Sequence, residues 1–145
     1  MISCSSDTDK VLIHDAARPL VSHSIIARCI NALDAHDAIS TIISSADTIY
    51  ETDINSNLIS IPVRVSLKRV QTPQGFKLEI IKQAHLLAIG ENKSDFSDDA
   101  GMVFYYKLAQ VFLVEGEESN IKITYPHDLI IAKELLDQNE KHSLS

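Results

Sequence analysis

The stretch Val11-Leu12-Ile13-His14-Asp15-Ala16-Ala17-Arg18-Pro19 decides the fold of this chain. A short apolar run ends directly in an acid, two small residues, a base and a proline, which is typical of a buried strand that leads into a turn. Open α/β sheets bind their ligands beyond the carboxyl ends of such strands. The stretch therefore predicts a strand over 11–14 and a candidate ligand site at Asp15 and Arg18.

Strands and helices alternate along the rest of the chain. Apolar or β-branched runs predict strands over 39–45 and 111–114, and helical spacing of apolar residues predicts helices over 24–35, 77–88, 99–107 and 126–136. Segment 47–70 differs, because two short extended runs bracket a turn-rich stretch and indicate a hairpin arm. The extended run that follows is expected to end near Pro73 and Gly75. The alternation predicts an α/β fold with a largely parallel sheet and a protruding β-arm.

Length, charge and cysteine usage exclude several classes of protein. The 145 residues are the length of one domain, and the net charge of −7 argues against a nucleic-acid surface. No apolar run approaches the roughly 20 residues of a membrane span, and the segment Met1–Ser6 lacks the features of a signal peptide. Cys4 and Cys29 are too few for a disulfide framework, so we expect a cytoplasmic protein. The polar tail from Gln138 onward is expected to fray.

The charge is unevenly distributed. No acid occurs from Ile54 to Leu78, whereas Arg64, Lys68, Arg69 and Lys77 do. Such a basic segment in an acidic chain is consistent with a compact anionic ligand such as a phosphate. On charge alone, a solvated edge strand that lysine and arginine protect from pairing is the commoner explanation.

Four positions could carry chemistry, and each has a structural alternative. Asp15 could hold Mg²⁺ together with substrate phosphates, or stabilise a turn. Arg18 could clamp a phosphate with both amino groups or pair with Asp15. Lys122, between two isoleucines and predicted to share one face with Asn120 and Thr124, could reach a phosphate or lie on an edge strand. The stretch Ser97-Asp98-Asp99 could bind substrate hydroxyls or begin a helix. Thr124 is expected to help cap the last helix.

Taken together, these segments resemble one family, the 2-C-methyl-D-erythritol 4-phosphate cytidylyltransferases. The motifs occur in that family's order across nearly the whole chain. They are the opening stretch 11–19, Asp47-Thr48, Arg64, Gln71–Phe76, Ser97–Ala100, Val114–Gly116, Asn120–Thr124 and Pro126–Leu129. The resemblance implies a Rossmann-like nucleotidyltransferase sheet of the nucleotide-diphospho-sugar transferase type. It also implies that residues 1–145 form a single partial domain, truncated at its N-terminus, with its arm at about 47–70.

The resemblance assigns a CTP and metal site to the first motif and to Lys122. Asp15 would hold Mg²⁺ bridging the CTP phosphates, with Ala16 beside the nucleotide. Lys122 would contact the α-phosphate and position the substrate phosphate. The attacking phosphate is already deprotonated at neutral pH, so a set of fixed cations without a general base suits this reaction.

The resemblance assigns the acceptor site to residues spread along the chain. Arg64 would bind the methylerythritol phosphate in the partner subunit of a homodimer, because the 47–70 arm is similar to the family's dimerisation arm. Ser97 stands where many relatives have threonine and keeps the hydroxyl. The residues expected to line the acceptor pocket are Arg18, Thr48, Thr72 and Ser97.

The glycine-rich loop and basic pair that cradle the triphosphate in this family do not occur in the chain. We therefore expect the 145-residue chain alone not to turn over CTP. Two alternatives remain open. One is the related ribitol-5-phosphate (pentitol phosphate) cytidylyltransferase, towards which Ile61-Pro62-Val63-Arg64 points. The other is a non-catalytic remnant that dimerises through the arm.

Overall fold

A computed structural model describes residues 9–143 of the chain, and the side chains of residues 9–138. The strands are β1 (Lys10–Ile13), β2 (Ala38–Ser44), β3 (Glu51–Thr52), β4 (Leu58–Ser60), β5 (Lys68–Lys77) and β6 (Val111–Glu115). The helices are α1 (His23–Ala32), α2 (Leu78–Gly90), α3 (Asp99–Tyr105) and α4 (Pro126–Ser143), and a short 3₁₀ turn covers Arg64–Ser66. The predicted α/β class is confirmed. Cys4, the segment Met1–Ser6 and the last two residues of the tail lie outside the described residues.

The main sheet has the strand order β1-β5-β2-β6 and is mixed. β6 pairs with β2 in parallel, whereas β5 runs antiparallel to both β1 and β2. The prediction of a largely parallel sheet therefore holds for the direction of β1, β2 and β6 but is wrong for β5. The cause is the arm between β2 and β5, which returns the chain without a crossover helix, so β5 enters the sheet from the opposite end.

The sequence predicts that this strand ends near Pro73. In the structure β5 instead continues through the proline to Lys77. Its ladder with β2 is irregular at this point, because Ser40 pairs with Gln74 while Ile42 already pairs with Val70. Thr41 is therefore opposite the segment 71–73, and its hydroxyl donates to the carbonyl of Pro73 over 2.6 Å. Proline is tolerated within a strand where such a bulge interrupts the ladder.

The close packing of neighbouring side chains explains why a glycine occupies position 75 in β5. No glycine among the described residues has a positive φ, so backbone conformation does not require a glycine at this position. A Cβ at Gly75 would lie 2.8 Å from side-chain atoms of Leu12, Leu33 and Ile39. Even a methyl group at this position would therefore require the neighbouring side chains to shift.

Apolar residues on the two faces of the sheet form separate cores, as the alternation of strand side chains requires. One core joins the sheet to α2 and α3 and includes Phe76, Ile81 and Val103. The other joins the opposite face to α1 and includes Ile25, Cys29, Leu33, Ile39 and Val114. The sheet is therefore held between helices, and the strand ends are left free to carry polar groups.

The predicted arm is present as a two-stranded antiparallel sheet of β3 and β4, separate from the main sheet. Asp53 closes the hairpin, because its Oδ1 accepts from the backbone N–H groups of Asn55 and Asn57 at 2.9 and 2.8 Å. Apolar side chains of the arm are exposed, with Ile54 at 98% and Val65 at 78%. The arm thus presents apolar surface that its own fold leaves uncovered.

Two predictions about the C-terminal part need correction. The sequence predicts that the chain frays from Gln138 onward. In the structure α4 continues as a helix to Ser143. Thr124 does not act as the predicted cap through its hydroxyl. Instead the Asp128 carboxylate accepts from the backbone N–H groups of Thr124 and Tyr125, so an acid in the first turn stabilises the helix start. No helix in the described part of the chain is long and apolar enough to cross a membrane.

Candidate active site

Asp15 lies directly after β1, in the turn that the opening motif forms, and pairs with Lys122. The distance from Asp15 Oδ2 to Lys122 Nζ is 2.8 Å, and the two side chains are 27% and 52% exposed. Asp15 Oδ1 also accepts from the backbone N–H of Ala17 over 3.2 Å. The hydrogen bond from Lys122, followed by that from Ala17, holds the pKa of Asp15 below its ordinary value of 3.8. A carboxylate and an ammonium group open to solvent thus meet at the carboxyl end of β1.

Arg18 is fixed by backbone carbonyls. Its Nη1 donates to the carbonyl of Asn120 over 2.7 Å and its Nη2 to that of Val70 over 3.3 Å. Its backbone N–H donates to the Asp15 carbonyl, which closes the turn. Arg18 Nε is buried without a hydrogen-bond partner among the described residues. Of the two roles expected for Arg18, the side-chain pair with Asp15 is not formed, because the guanidinium donates to the carbonyls of Asn120 and Val70 instead.

Thr72 reaches the same turn from the bulge of β5. Its hydroxyl accepts from the backbone N–H of Asp15 over 3.0 Å and lies 2.9 Å from His14 Nδ1. His14 Nε2 lies 3.0 Å from the carbonyl of Arg18. Sequence reasoning assigned no role to this histidine. Its place directly before Asp15, within the opening motif, is the signal that could have identified it.

Lys122 is brought to Asp15 by a loop without regular secondary structure. The backbone N–H of Ile123 donates to the carbonyl of Ala17 over 2.8 Å, which joins the loop to the turn after β1. Asn120 is fully buried, whereas Lys122 and Thr124 are exposed to different degrees. The prediction that these three side chains share one face is therefore wrong for Asn120, since the segment is not a strand.

The structure brings together only some of the predicted site residues. Asp15, Ala16, Arg18, Thr72 and Lys122 lie at the turn after β1 and the segments bonded to it. Thr48 is an exposed residue of the arm, and Arg64 Nη1 lies 3.4 Å from the carbonyl of Ala46. Ser97 is exposed beside Asp98, which caps α3 by accepting from the Gly101 N–H over 2.7 Å. The helix-start interpretation of this acidic stretch is confirmed.

Two hollows differ in their relation to this turn. The larger, about 600 Å³, lies between α2 and α3 against His85, Phe96 and Asp99. A smaller one of about 280 Å³ is lined by Arg18, Arg69, Gln71, Glu118, Lys122 and neighbouring apolar side chains. Size alone would favour the first hollow, but fixed cations border the second. We therefore place the candidate site at the second.

Asp15 fits a magnesium ion that takes most of its ligands from phosphates. Among the described residues no three histidine, cysteine, aspartate or glutamate side chains converge as a metal site. Mg²⁺ needs fewer protein ligands than that, because it keeps waters and commonly binds one or two carboxylates plus substrate phosphates. A single solvent-accessible carboxylate beside two cationic side chains matches this pattern.

Comparison with known proteins defines the class. The chain is 35% identical to the 2-C-methyl-D-erythritol 4-phosphate cytidylyltransferase of Thermus thermophilus, with a TM-score of 0.77 to its crystal structure over 88% of this chain and 61% of that one. It is 31% identical to the 4-diphosphocytidyl-2C-methyl-D-erythritol synthase of Anaerococcus prevotii, with a TM-score of 0.85 over 93% and 62%. These similarities define the fold as that of a nucleotidyltransferase.

The sequence comparisons give the particular family. The family model of 2-C-methyl-D-erythritol 4-phosphate cytidylyltransferase (IspD) matches residues 2–138, and the chain belongs to this family. The enzyme of that name from Thermobifida fusca is 41% identical over 135 residues, which are 90% of this chain and 54% of the relative. The chain thus spans about half the length of the relatives that are named 2-C-methyl-D-erythritol 4-phosphate cytidylyltransferase.

Proposed function

We propose that the chain forms part of an enzyme that transfers a cytidylyl group from CTP to 2-C-methyl-D-erythritol 4-phosphate, giving CDP-methylerythritol and pyrophosphate in non-mevalonate isoprenoid biosynthesis. The observation that carries this proposal is the Asp15–Lys122 pair at the end of β1, in a chain of this family. Such an enzyme would work in the cytoplasm, where nucleotides are available.

The proposed reaction joins two anions, and the site supplies the opposite charge. A phosphate oxygen of the acceptor forms a bond to the α-phosphorus of CTP while the bond from that phosphorus to the bridging oxygen breaks. Pyrophosphate leaves with the electron pair, and no proton has to be moved at neutral pH. Lys122 is a cation held beside Asp15, which is how a site stabilises charge that develops on an α-phosphate. Arg18, held by the carbonyls of Asn120 and Val70, would lie on the acceptor side.

We assign Asp15, with Ala16 beside it, to the CTP–Mg²⁺ end of the site. Bound Mg²⁺ would supply charge neutralisation and orientation of the phosphates. Asp15 remains ionised at neutral pH, because its pKa is below 3.8, and so can serve as the ligand. Thr72, whose hydroxyl accepts from the Asp15 N–H, would hold this turn and face the acceptor.

We assign Arg64, Thr48 and Ser97 to the acceptor side. Arg64 and Thr48 belong to the arm, and the guanidinium of Arg64 bonds within the arm region, to the carbonyl of Ala46, and not to the Asp15 turn. In a homodimer whose arm crosses to the partner, Arg64 would bind the acceptor phosphate in the partner's site. The exposed apolar side chains of the arm support this assembly, since contiguous apolar surface commonly marks an interface.

Transfer activity is best tested in a chimera in which the N-terminal portion of the Thermobifida fusca relative precedes this chain. Pyrophosphate release from CTP and 2-C-methyl-D-erythritol 4-phosphate is the measurement, and ribitol 5-phosphate is the competing acceptor. Lys122→Met should lower kcat by about 100-fold or more, as expected for loss of a charge-stabilising group. Lys133→Met, a matched change on α4, should leave kcat unchanged.

Each alternative has its own outcome. Faster transfer to ribitol 5-phosphate would assign the chain to the pentitol enzymes. Equal rates for Lys122→Met and Lys133→Met would remove Lys122 from the reaction. The 145-residue chain without the added portion is expected to release no pyrophosphate. If it forms stable mixed dimers with an intact relative while the chimera stays inactive, the chain is a dimerising remnant.

A further inference from the structure

The loop over 116–120, which precedes Lys122, is folded around one buried amide, that of Gln71. This side chain belongs to a residue only 3% exposed. Its Nε2 donates to the carbonyls of Glu117 and Asn120 at 2.9 and 3.2 Å, and its Oε1 accepts from Asn120 Nδ2 at 3.3 Å. We propose that Gln71 and Asn120 are positioning residues that set the place of Lys122 beside Asp15. This inference rests on the proposed role of Lys122.

Asn120 connects the loop to two other segments of the site, through Thr72 and Arg18. It is fully buried, and its Nδ2 donates to the carbonyl of Thr72 over 2.8 Å. Its own carbonyl accepts from Arg18 Nη1. Only one residue separates Asn120 from Lys122, and the residue after Lys122, Ile123, is bonded to the Ala17 carbonyl. Lys122 is therefore held from both sides, and Asn120 sets the anchor on its N-terminal side.

Gly116 shows how closely the loop follows the amide. A Cβ at this position would collide with Gln71 Oε1 and lie 2.9 Å from Thr41 Cγ2. Any side chain here would have to displace Gln71 or the loop. Because Gly116 has no side chain, the loop can approach the Gln71 amide this closely.

A second contact fixes the same loop to α1. Glu117 Oε1 accepts from Ser22 Oγ over 2.9 Å and from Arg28 Nη2 over 3.0 Å. The loop is thus held by Gln71 on one side and by α1 on the other.

The polarity of Gln71 and Asn120 argues for positioning over simple packing. Burying an amide costs free energy unless its groups are bonded, whereas an apolar side chain of similar size carries no such cost. Three of the four polar atoms of these two side chains are bonded, to the loop, to each other and to the strand end at Thr72. The fourth, Asn120 Oδ1, is buried without a hydrogen-bond partner among the described residues. An apolar side chain could fill the same space without directing the loop.

Acylation of lysines in the unliganded 145-residue chain tests the inference without CTP or acceptor. The chain is treated briefly with N-hydroxysuccinimidyl acetate, and labelling of each lysine is followed by mass spectrometry. The variants are Gln71→Met, which fills the space without polar groups, and Gly116→Ala, which keeps every polar group and displaces the amide. Gln83→Met on the exposed side of α2 is the matched control.

We expect both variants to raise labelling of Lys122 by about threefold, the size that loss of an exposed ion pair allows. Labelling of Lys77, which is paired with Asp37 elsewhere, should stay constant, as should all sites in Gln83→Met. A folded variant that melts earlier while Lys122 reacts as in the unaltered chain would overturn the inference. Loss of the fold in both variants would also count against it, since the two amides would then serve folding. An inactive chimera would leave this result unaffected.

Discussion

Lys122 Nζ lies 2.8 Å from Asp15 Oδ2, although the two residues are far apart in the sequence. This contact depresses the pKa of Asp15, with the Lys122 hydrogen bond as the largest cause. A carboxyl group with a depressed pKa adds stability above its unfolded value, and that stability is lost as the pH falls through its folded pKa. Lys122→Met should therefore move the pKa of Asp15 up towards 3.8, as measured by NMR titration of its side-chain carbon. Lys133→Met is the control, and an unchanged Asp15 titration in Lys122→Met would contradict the pairing.

Thr72→Val tests whether the hydroxyl from β5 holds the turn after β1. The change keeps the shape of the side chain but removes the acceptor for the Asp15 N–H. We expect a loss of about 1–2 kcal/mol in the free energy of unfolding, because a partly buried donor loses its partner. Denaturant unfolding of Thr72→Ser should resemble that of the unaltered chain. Thr48→Val, the same change in the exposed arm, should have little effect.

Gly75→Ala tests the close packing of β5. The new methyl group would meet Leu12, Leu33 and Ile39 at 2.8 Å, and overpacking of a core commonly costs about 1–3 kcal/mol. Gly90→Ala is a matched change at the end of α2, where nothing lies within 4 Å of the new group. It should leave stability unchanged or raise it by up to about 1 kcal/mol. Equal melting temperatures for the two variants would contradict the packing explanation.

Asp128→Ala tests the start of α4 and its dependence on pH. The Tyr125 N–H, followed by the Thr124 N–H, lowers the pKa of Asp128 below 3.8. The cap therefore stabilises the helix above that pH and weakens as the pH falls through the lowered value. We expect Asp128→Ala to melt a few degrees lower at neutral pH, with the difference shrinking in acid. Asp137→Ala on the same helix should show neither effect.

Asp53→Ala tests the hairpin of the arm. The carboxylate accepts from two backbone N–H groups and from Asn57 Nδ2, so its removal leaves the turn between β3 and β4 without these bonds. Amide hydrogen exchange over 51–60 should become faster, while exchange in β2 and β6 should be unchanged. Asp53→Asn keeps an oxygen in the same place and should have a smaller effect. Faster exchange throughout the chain would show that the arm is not an independent unit.

Local patterns predicted most elements, because each helix and strand has its own periodicity. Ile25, Cys29 and Leu33 are spaced for one helix face, and all three are buried against the sheet. The direction of β5 could not be predicted in this way, since its pairing is decided by two distant strands. The bulge opposite Thr41 could not be predicted from the sequence either, because it depends on how β2 and β5 pair.

Site residues were predictable where a motif keeps neighbours together and less so where contacts are distant. The opening motif places Asp15 and Arg18 in one turn by sequence alone. Gln71 lies within a motif but no role could be assigned to it, since its contacts with Glu117 and Asn120 join segments far apart in the chain. For the same reason Asn120 was wrongly predicted to share one face with Lys122 and Thr124, whereas it is buried. Its burial depends on a loop whose shape Gln71 sets.

The bulge in β5 makes the length of segment 71–73 as important as its composition. Thr41 stands opposite this segment, while Gln74 is already paired again with Ser40. Removing one residue would shift the register downstream and turn Gln74, Gly75 and Phe76 to the opposite faces of the sheet. Phe76 would then leave its core for the face that belongs to α1. An insertion or deletion in this short segment should consequently destabilise the fold more than the substitutions at Gln71 and Thr72 do.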